Sequence, residues 1–423
     1  MKKPEGNKSY FKSITTLMSG SMIANVFTFI CSPILTRICS PEVLGIYSLV
    51  TGAITMFGMI MSLRFEMCIV FEPEEKKVYP LIKLSMILNC VISALILIGY
   101  LIYFFMIDTG GESFIVLALI TALLAFLMGV INIVTAYNNR HKDYKLITKT
   151  YVIRVFFQNA LNLVAGFFKF GAIGLSLSQL IGYMAGIRGQ AKPLKGYFKE
   201  IKAATKAEMK EAALSNKKQA MLSTPAALAN GLSYSLINYF IEALFTTAIV
   251  GYYSISYRIL GLPITIISTN VSRVFLERAS KEYQEKGNFR NIYKSTVLLL
   301  LAMGIPIGIL LMIFSPWACE LFFGEGWGVA GVYIRLLTPM FIMRFIAGGV
   351  NGAAIIVNKQ QYDLIIQLLL TGSLVAVFII SMIFQFQVEI FLTILNAVFC
   401  VIYLVYIYLF WLCAKGNKQE SEV

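Results

Sequence analysis

The chain has 423 residues, 58% of them apolar, and a net charge of +14. Only 14% are charged, against roughly 25% in an ordinary soluble domain. A soluble fold of this size cannot hide so much apolar surface, which excludes a secreted or cytosolic enzyme and a DNA-binding module. Each helix that crosses a membrane needs about 20 apolar residues, so the apolar content suffices for roughly twelve spans. The expected class is an all-α integral membrane protein.

Apolar runs between polar breaks place six spans in the first half, at 13–38, 43–71, 80–106, 114–138, 146–168 and 171–188. The second half gives 218–246, 249–276, 291–314, 329–357, 362–384 and 389–413. The breaks carry turn chemistry: Cys39-Ser40-Pro41-Glu42, Asp108-Thr109-Gly110-Gly111-Glu112 and Gly324-Glu325-Gly326. The first run is too long for the apolar core of a secretory signal. The seven cysteines are scattered without C-x-x-C spacing and His141 is the single histidine. No metal or disulfide framework is therefore expected. No phosphate-binding loop or catalytic constellation occurs either, so no cofactor and no enzyme activity is expected.

The basic residues lie in short loops rather than in a nucleic-acid-binding patch, and they set orientation. With the N-terminus cytoplasmic, 25 loop lysines and arginines face inward, and Lys169 is the one that faces outward. Such asymmetry is the positive-inside signal, and it expects both termini in the cytoplasm. The stretch Gly189–Asn216 differs in kind. Lys192, Lys195, Lys199, Lys202, Lys206 and Lys210 alternate with Leu194, Tyr197, Phe198 and Ile201 at helical spacing. This reads as an amphipathic helix on the inner leaflet, or as a plain basic connector between two halves. The expected organisation is a lobe over 1–188, a linker over 189–217 and a second lobe over 218–423.

The halves repeat. Gly45-Ile46-Tyr47-Ser48-Leu49 opens the second span and Gly251-Tyr252-Tyr253-Ser254-Ile255 the eighth, at an offset of 206 residues. Six spans per half is even, so the halves enter the membrane in the same direction. The expected architecture is two six-helix lobes related by a parallel pseudo-twofold repeat, the layout of several two-lobed transporters.

Ionisable residues inside apolar spans are expensive to insert, so each is a functional candidate. The embedded set is Arg64, Glu66, Arg154, Glu242, Arg258, Arg335 and Arg344, with Arg37 nearer a helix end. The excess is cationic. An arginine keeps its charge when buried and offers a planar fork that fits phosphate or carboxylate oxygens. Arg64 and Glu66, two residues apart, would point about 200° apart on one helix and so should seek partners elsewhere. Pro263, Pro339, Gly261, Gly348, Gly349 and Gly352 mark the eighth and tenth spans as able to bend.

Several blocks carry a family likeness. They are Ser32-Pro33-Ile34-Leu35-Thr36-Arg37, Ser40-Pro41-Glu42, Ser62-Leu63-Arg64-Phe65-Glu66, Asn138-Asn139-Arg140-His141-Lys142-Asp143-Tyr144, and Val250 through Pro263. The chain resembles polysaccharide-unit flippases, the O-antigen and capsule-type translocases of lipid-linked oligosaccharides in bacteria. These belong to the multidrug/oligosaccharidyl-lipid/polysaccharide exporter superfamily. The resemblance implies two lobes in a V with alternating access about a central cationic cavity. The implied substrate is a short oligosaccharide joined through pyrophosphate to undecaprenol in the cytoplasmic membrane. Polysaccharide polymerases and glycosyltransferases are the implied partners, besides membrane lipids. Arg37, Arg64, Glu66 and Arg258 occupy motif positions, whereas Arg154, Arg335 and Arg344 rest on charge burial alone. Ion-gradient coupling is also implied, and Glu66 and Glu242 are the embedded acids available to carry a proton. The alternatives weighed against this are a cationic-drug antiporter, which should be acid-rich in its spans, and a membrane-embedded polymerase or glycosyltransferase, which should have a larger outward loop than Ser315–Gly328.

Overall fold

The computed structural model describes residues 7–106, 112–357, 359 and 361–416, with backbone alone for 7–19, 103–106, 112–113, 218–219 and 222. The break Asp108–Gly111 and the basic residues Lys2, Lys3 and Lys418 lie outside the described residues. The described chain is helical, with no strand, as an apolar environment demands, because only a helix satisfies its own backbone within one segment.

The first compact unit, residues 1–236, begins with α1 (Asn7–Ile38), α2 (Pro41–Gly58), α3 (Phe65–Phe71) and α4 (Glu75–Met106). It continues with α5 (Glu112–Arg140), α6 (Tyr144–Phe167) and α7 (Gly171–Gln190). A 3-10 turn (Pro193–Tyr197), α8 (Phe198–Ala203) and α9 (Lys206–Ser215) follow, and α10 (Lys217–Leu244) straddles the division. The second unit, 237–423, holds α11 (Thr247–Pro263), a π-helical turn (Ile264–Ser268), α12 (Thr269–Lys286) and α13 (Arg290–Phe323). α14 (Gly328–Gly349), α15 (Ala353–Ile356), α16 (Gln361–Phe384) and α17 (Val388–Lys415) complete it.

Long helices thus stand at each of the twelve expected places. Among the described residues, nine helical segments are long and apolar enough to cross a membrane. α6, α7 and α10 fall outside that set, because they carry Lys145, Lys149, Arg154, Gln158, Gln179, Asn230, Asn238 and Glu242 along their length. The nine establish a multi-pass membrane protein. Their exposed faces are apolar, for example Leu298, Leu310 and Ile313 on α13 and Val401, Leu404 and Tyr408 on α17.

The expected second span is not one helix. It stops at Gly58, turns through residues 59–64 and restarts at Phe65, with Leu63 and Arg64 both left-handed at φ +48° and +64°. The broken ladder frees the Gly58 carbonyl, which accepts Asn132 Nδ2 of α5 at 2.7 Å. Adding the 206-residue offset to this break lands on the π-helical turn after Pro263. The repeat therefore extends to an interruption of the same helix in each half. Ser62 and Ser268 correspond, both are buried, and each donates a hydrogen bond: Ser62 Oγ to Glu66 Oε2 at 2.5 Å and Ser268 Oγ to the Phe345 carbonyl at 2.7 Å.

The Gly189–Asn216 stretch is not one amphipathic helix. Its pieces fold back on the first unit, where Leu194, Ile201, Ala212 and Ala213 pack against a core of Phe65, Ile69, Leu81, Ile82, Ile133 and Tyr137. Tyr197 stacks on Tyr79 with ring centroids 5.6 Å apart. Lys83 Nζ donates to the carbonyls of Lys202 (2.8 Å) and Ala204 (2.6 Å), capping the end of α8. Phe198 and Leu214 stay exposed.

Candidate functional site

In the first unit, α1, α5, α6 and α7 line an open cavity of about 290 Å³. Asn132 and Thr135 of α5, Thr148, Tyr151 and Arg154 of α6, and Gln190 of α7 supply its polar lining. Small residues on α7 set this geometry. A Cβ on Gly182 would stand 2.9 Å from the Arg154 carbonyl oxygen, and one on Gly186 would stand 3.2 Å from Arg154 Cβ. Two glycines one turn apart thus let α7 lie against the α6 backbone where Arg154 emerges.

The Arg154 guanidinium carbon lies 5.0 Å from the Tyr151 ring centroid and 5.1 Å from that of Tyr183. Two aromatic faces stabilise a cation by roughly 0.5–2 kcal/mol each without accepting its N–H groups in the plane of the fork. Among the described residues, no hydrogen-bond acceptor or carboxylate meets this guanidinium. Neighbouring polar groups are already ordered: Gln190 Nε2 donates to Thr135 Oγ1 at 2.7 Å, and Asn132 holds Gly58. The result is a fixed, half-buried cation with free donors in a hydroxyl- and amide-lined space. Such a group can hold an anion through paired N–H contacts.

The other expected arginines are placed differently. Arg64 Nη1 stands 3.7 Å from Glu66 Oε1. The two residues pair after all, because Arg64 is not helical but sits left-handed at the start of α3; the 200° separation applies only to an unbroken helix. Arg335 Nε donates to the Met312 carbonyl at 2.7 Å. Arg344 Nη1 donates to the Tyr257 hydroxyl at 2.8 Å, with its guanidinium 5.6 Å from the Phe341 ring centroid. Arg37 is exposed in the last turn of α1 and Arg258 is half-buried on α11; both interact with protein neighbours. Neither Arg37 nor Arg64 lines the Arg154 cavity.

Of the two acids, Glu66 is buried and engaged by Ser62 and Arg64. Glu242 sits in the last turn of α10, where its Oε1 accepts the Thr247 hydroxyl at 2.8 Å. Its Oε2 is buried without a hydrogen-bond partner among the described residues, and so is Oδ1 of Asn238 one turn earlier on the same helix face.

The Asn138–Tyr144 block is structural. Asn138 Nδ2 donates to the Gln190 carbonyl at 2.9 Å, closing the end of α7. Arg140 bonds the Ile69 and Glu72 carbonyls and pairs with Glu75, and Asp143 caps α6 through the Leu146 N–H. Sequence reasoning found Arg154 but missed Tyr151, Asn132, Thr135 and Gln190. The signal existed in part: Tyr151 precedes Arg154 by three residues and Asn132 precedes Thr135 by three, each pair on one helix face.

Solved structures resemble this fold across nearly its whole length. A multidrug resistance MATE family transporter of the MOP superfamily, inward-facing, superposes with a TM-score of 0.69 at 15% identity, covering 97% of this chain and 99% of that one. The lipid II flippase MurJ in an inward closed conformation gives 0.71 at 14% identity, covering 93% and 87%. A MOP superfamily transporter from Pyrococcus furiosus gives 0.61 at 15%, covering 96% and 97%. At these identities the likeness establishes the fold. No curated protein sequence matches the chain significantly. Residues 34–331, well over half of the chain, match the family model described as polysaccharide biosynthesis protein; the chain belongs to that family and carries the MOP transporter fold.

Proposed function

We propose that the protein is a flippase that carries an undecaprenyl-pyrophosphate-linked oligosaccharide unit from the inner to the outer leaflet of the bacterial cytoplasmic membrane by alternating access, with both termini in the cytoplasm. The observation that carries this reading is Arg154, whose donors meet no acceptor among the described residues in a cavity between α1, α5, α6 and α7 that carries hydroxyl and amide groups. Membership of a polysaccharide biosynthesis family supports a saccharide-bearing substrate. The cavity is at the small end of ligand pockets, roughly 300–1,000 Å³, so it suits the pyrophosphate rather than the sugars. Moving that headgroup unaided would expose many polar groups to hydrocarbon. A cationic drug would be repelled by the same guanidinium.

Ion coupling through Glu242 is part of the proposal. One proton on its Oε2 gives that oxygen a hydrogen to donate and Asn238 Oδ1, one turn away, an acceptor role. Glu66 already has two partners and serves better as a fixed charge. Polysaccharide polymerases and glycosyltransferases are the fitting partners, since they would supply and consume such a unit.

The test is surface polymer in a strain lacking its own flippase, normalised to transporter abundance. Arg154→Lys keeps the charge but not the fork, and losing one charge-assisted hydrogen bond costs about 1.5–3 kcal/mol, or ten- to hundredfold in affinity. Polymer should fall accordingly with Arg154→Lys and with Arg154→Gln. Normal polymer with both would remove Arg154 from the substrate site. Glu242→Gln should abolish gradient-driven transport and Glu66→Gln should spare part of it.

A further inference from the structure

The start of α13 and the end of α17 are tied together by backbone contacts. The Phe289 N–H donates to the Ala414 carbonyl at 3.1 Å, Arg290 Nη2 to the Lys415 carbonyl at 3.2 Å, and the Tyr293 hydroxyl to the Ile407 carbonyl at 2.7 Å. This junction gathers cations around one indole. Lys294 Nζ lies 5.3 Å and Lys415 Nζ 5.5 Å from the Trp411 ring centroid.

Two ammonium groups thus stand against one ring, and the described residues supply no counter-charge to either. Neither lysine has a carboxylate within ion-pair distance among the described residues. The nearby acids are taken: Glu282 accepts Lys286 Nζ at 3.3 Å and the Ile292 N–H at 3.1 Å, and Asp363 accepts the Tyr406 hydroxyl.

Position supplies the second argument. Leu298 and Leu299, one turn beyond Lys294, are exposed, as are Leu404, Tyr408 and Leu412, the last of them three residues before Lys415. The cations therefore stand where the lipid-facing apolar belt ends, the depth at which indole rings and anionic headgroups meet. The loop charges assign this end of the helices to the cytoplasmic face.

We infer that Lys294 and Lys415 beside Trp411, with Arg290 at the same junction, form a site for the phosphate headgroup of an anionic membrane phospholipid. The phosphate supplies the negative charge that the described residues around the two ammonium groups lack, and Trp411 packs against the lipid backbone. The site is separate from the Arg154 cavity and does not depend on which substrate the protein moves.

Native mass spectrometry of the purified full-length protein with added phosphatidylglycerol or phosphatidylcholine tests this. Phosphatidylglycerol should be retained preferentially. Lys294→Gln and Lys415→Gln should each weaken its retention about fivefold, the worth of one basic side chain near an anionic headgroup. The double Lys→Arg variant should bind as the parent does, and Lys206→Gln, far along the chain in the linker, should leave binding unchanged. Parental retention by the double Lys→Gln variant, or equal retention of phosphatidylcholine by the parent, would overturn the site. A second readout needs no lysine variant. Brominated phosphatidylglycerol should quench the fluorescence lost in Trp411→Phe more than brominated phosphatidylcholine does, and equal quenching would overturn the site as well.

Discussion

Arg335 Nε donates to the carbonyl of Met312 at 2.7 Å, and Met312 is the residue whose carbonyl Pro316 leaves without a helical donor. A residue at position 316 with an N–H would bond the carbonyl four residues earlier, but proline has none. The two helices meet closely at this point. A Cβ on Gly331 would stand 2.3 Å from Pro316 Cα, and Ser315 Oγ donates to the Gly331 carbonyl at 2.8 Å. Arg335, one turn along α14 from Gly331, replaces the missing helical bond with its own side chain. A charged residue in an apolar span is thereby explained by backbone chemistry.

That relationship predicts coupling between the two positions. Arg335→Ala strands a carbonyl in an apolar setting and should destabilise the second unit by about 1–3 kcal/mol. Pro316→Ala restores the helical N–H, so Arg335→Ala should cost much less in a Pro316→Ala background. Thermal unfolding of all four proteins in detergent measures the cycle. Additive losses would mean that Arg335 acts elsewhere.

A different cost attaches to Arg64. Its φ of +64° is disfavoured for any side chain by roughly 1–2 kcal/mol, whereas glycine adopts it freely. Arg64→Gly and Arg64→Ala both remove the ion pair with Glu66, so their difference isolates the backbone term. Arg64→Gly should be the more stable by about 1 kcal/mol in the same thermal assay. Equal stability would indicate that the turn relaxes once the arginine is gone.

The helices were legible because apolar run length and turn residues report them directly, as at Ser40-Pro41 and Gly324-Glu325-Gly326. The interruption at 59–64 was not legible: Met59 to Arg64 contains neither glycine nor proline, and left-handed Leu63 and Arg64 leave no trace in composition. Arg335 reads as a ligand group in the sequence for a similar reason. Its partner carbonyl is vacated by Pro316, which lies 19 positions earlier on another helix. The period of the linker fits a lipid surface and a protein surface equally well; Leu194 and Ile201 pack on the core around Tyr137. Arg154 was found from its charge, but its isolation follows only from which side chains α5 and α7 bring near it.

Orientation has its own check. Glu325 lies in the turn between α13 and α14, which the loop charges place outside, and Lys206 opens α9, which they place inside. In an otherwise cysteine-free protein, an impermeant maleimide added to intact cells should label Glu325→Cys and leave Lys206→Cys unlabelled until the cells are opened. Labelling of the Lys206 variant from outside would reverse the topology.

The linker should come loose in two distinguishable ways. Lys83 holds the Lys202 and Ala204 carbonyls, so Lys83→Ala should raise hydrogen exchange over residues 198–204 about fivefold, the worth of one hydrogen bond. At the start of α9, Glu208 accepts the Thr205 N–H at 2.6 Å and its hydroxyl at 2.9 Å, while the Glu208 N–H donates to Thr205 Oγ1 at 3.2 Å. The two bonds from Thr205 hold the Glu208 carboxyl below its ordinary range. The charged form is therefore favoured in the folded helix, and its stabilisation is fully present above the free glutamate value of about 4.3. It is lost as pH falls through the lower folded value. Amide protection at 206–209, corrected for intrinsic exchange, should stay level from about pH 7 to 5 and decline below about pH 4. Glu208→Gln keeps a capping side chain without a titrating group, so its protection should show no such decline. A matching decline in the Glu208→Gln protein would assign the pH response to another group.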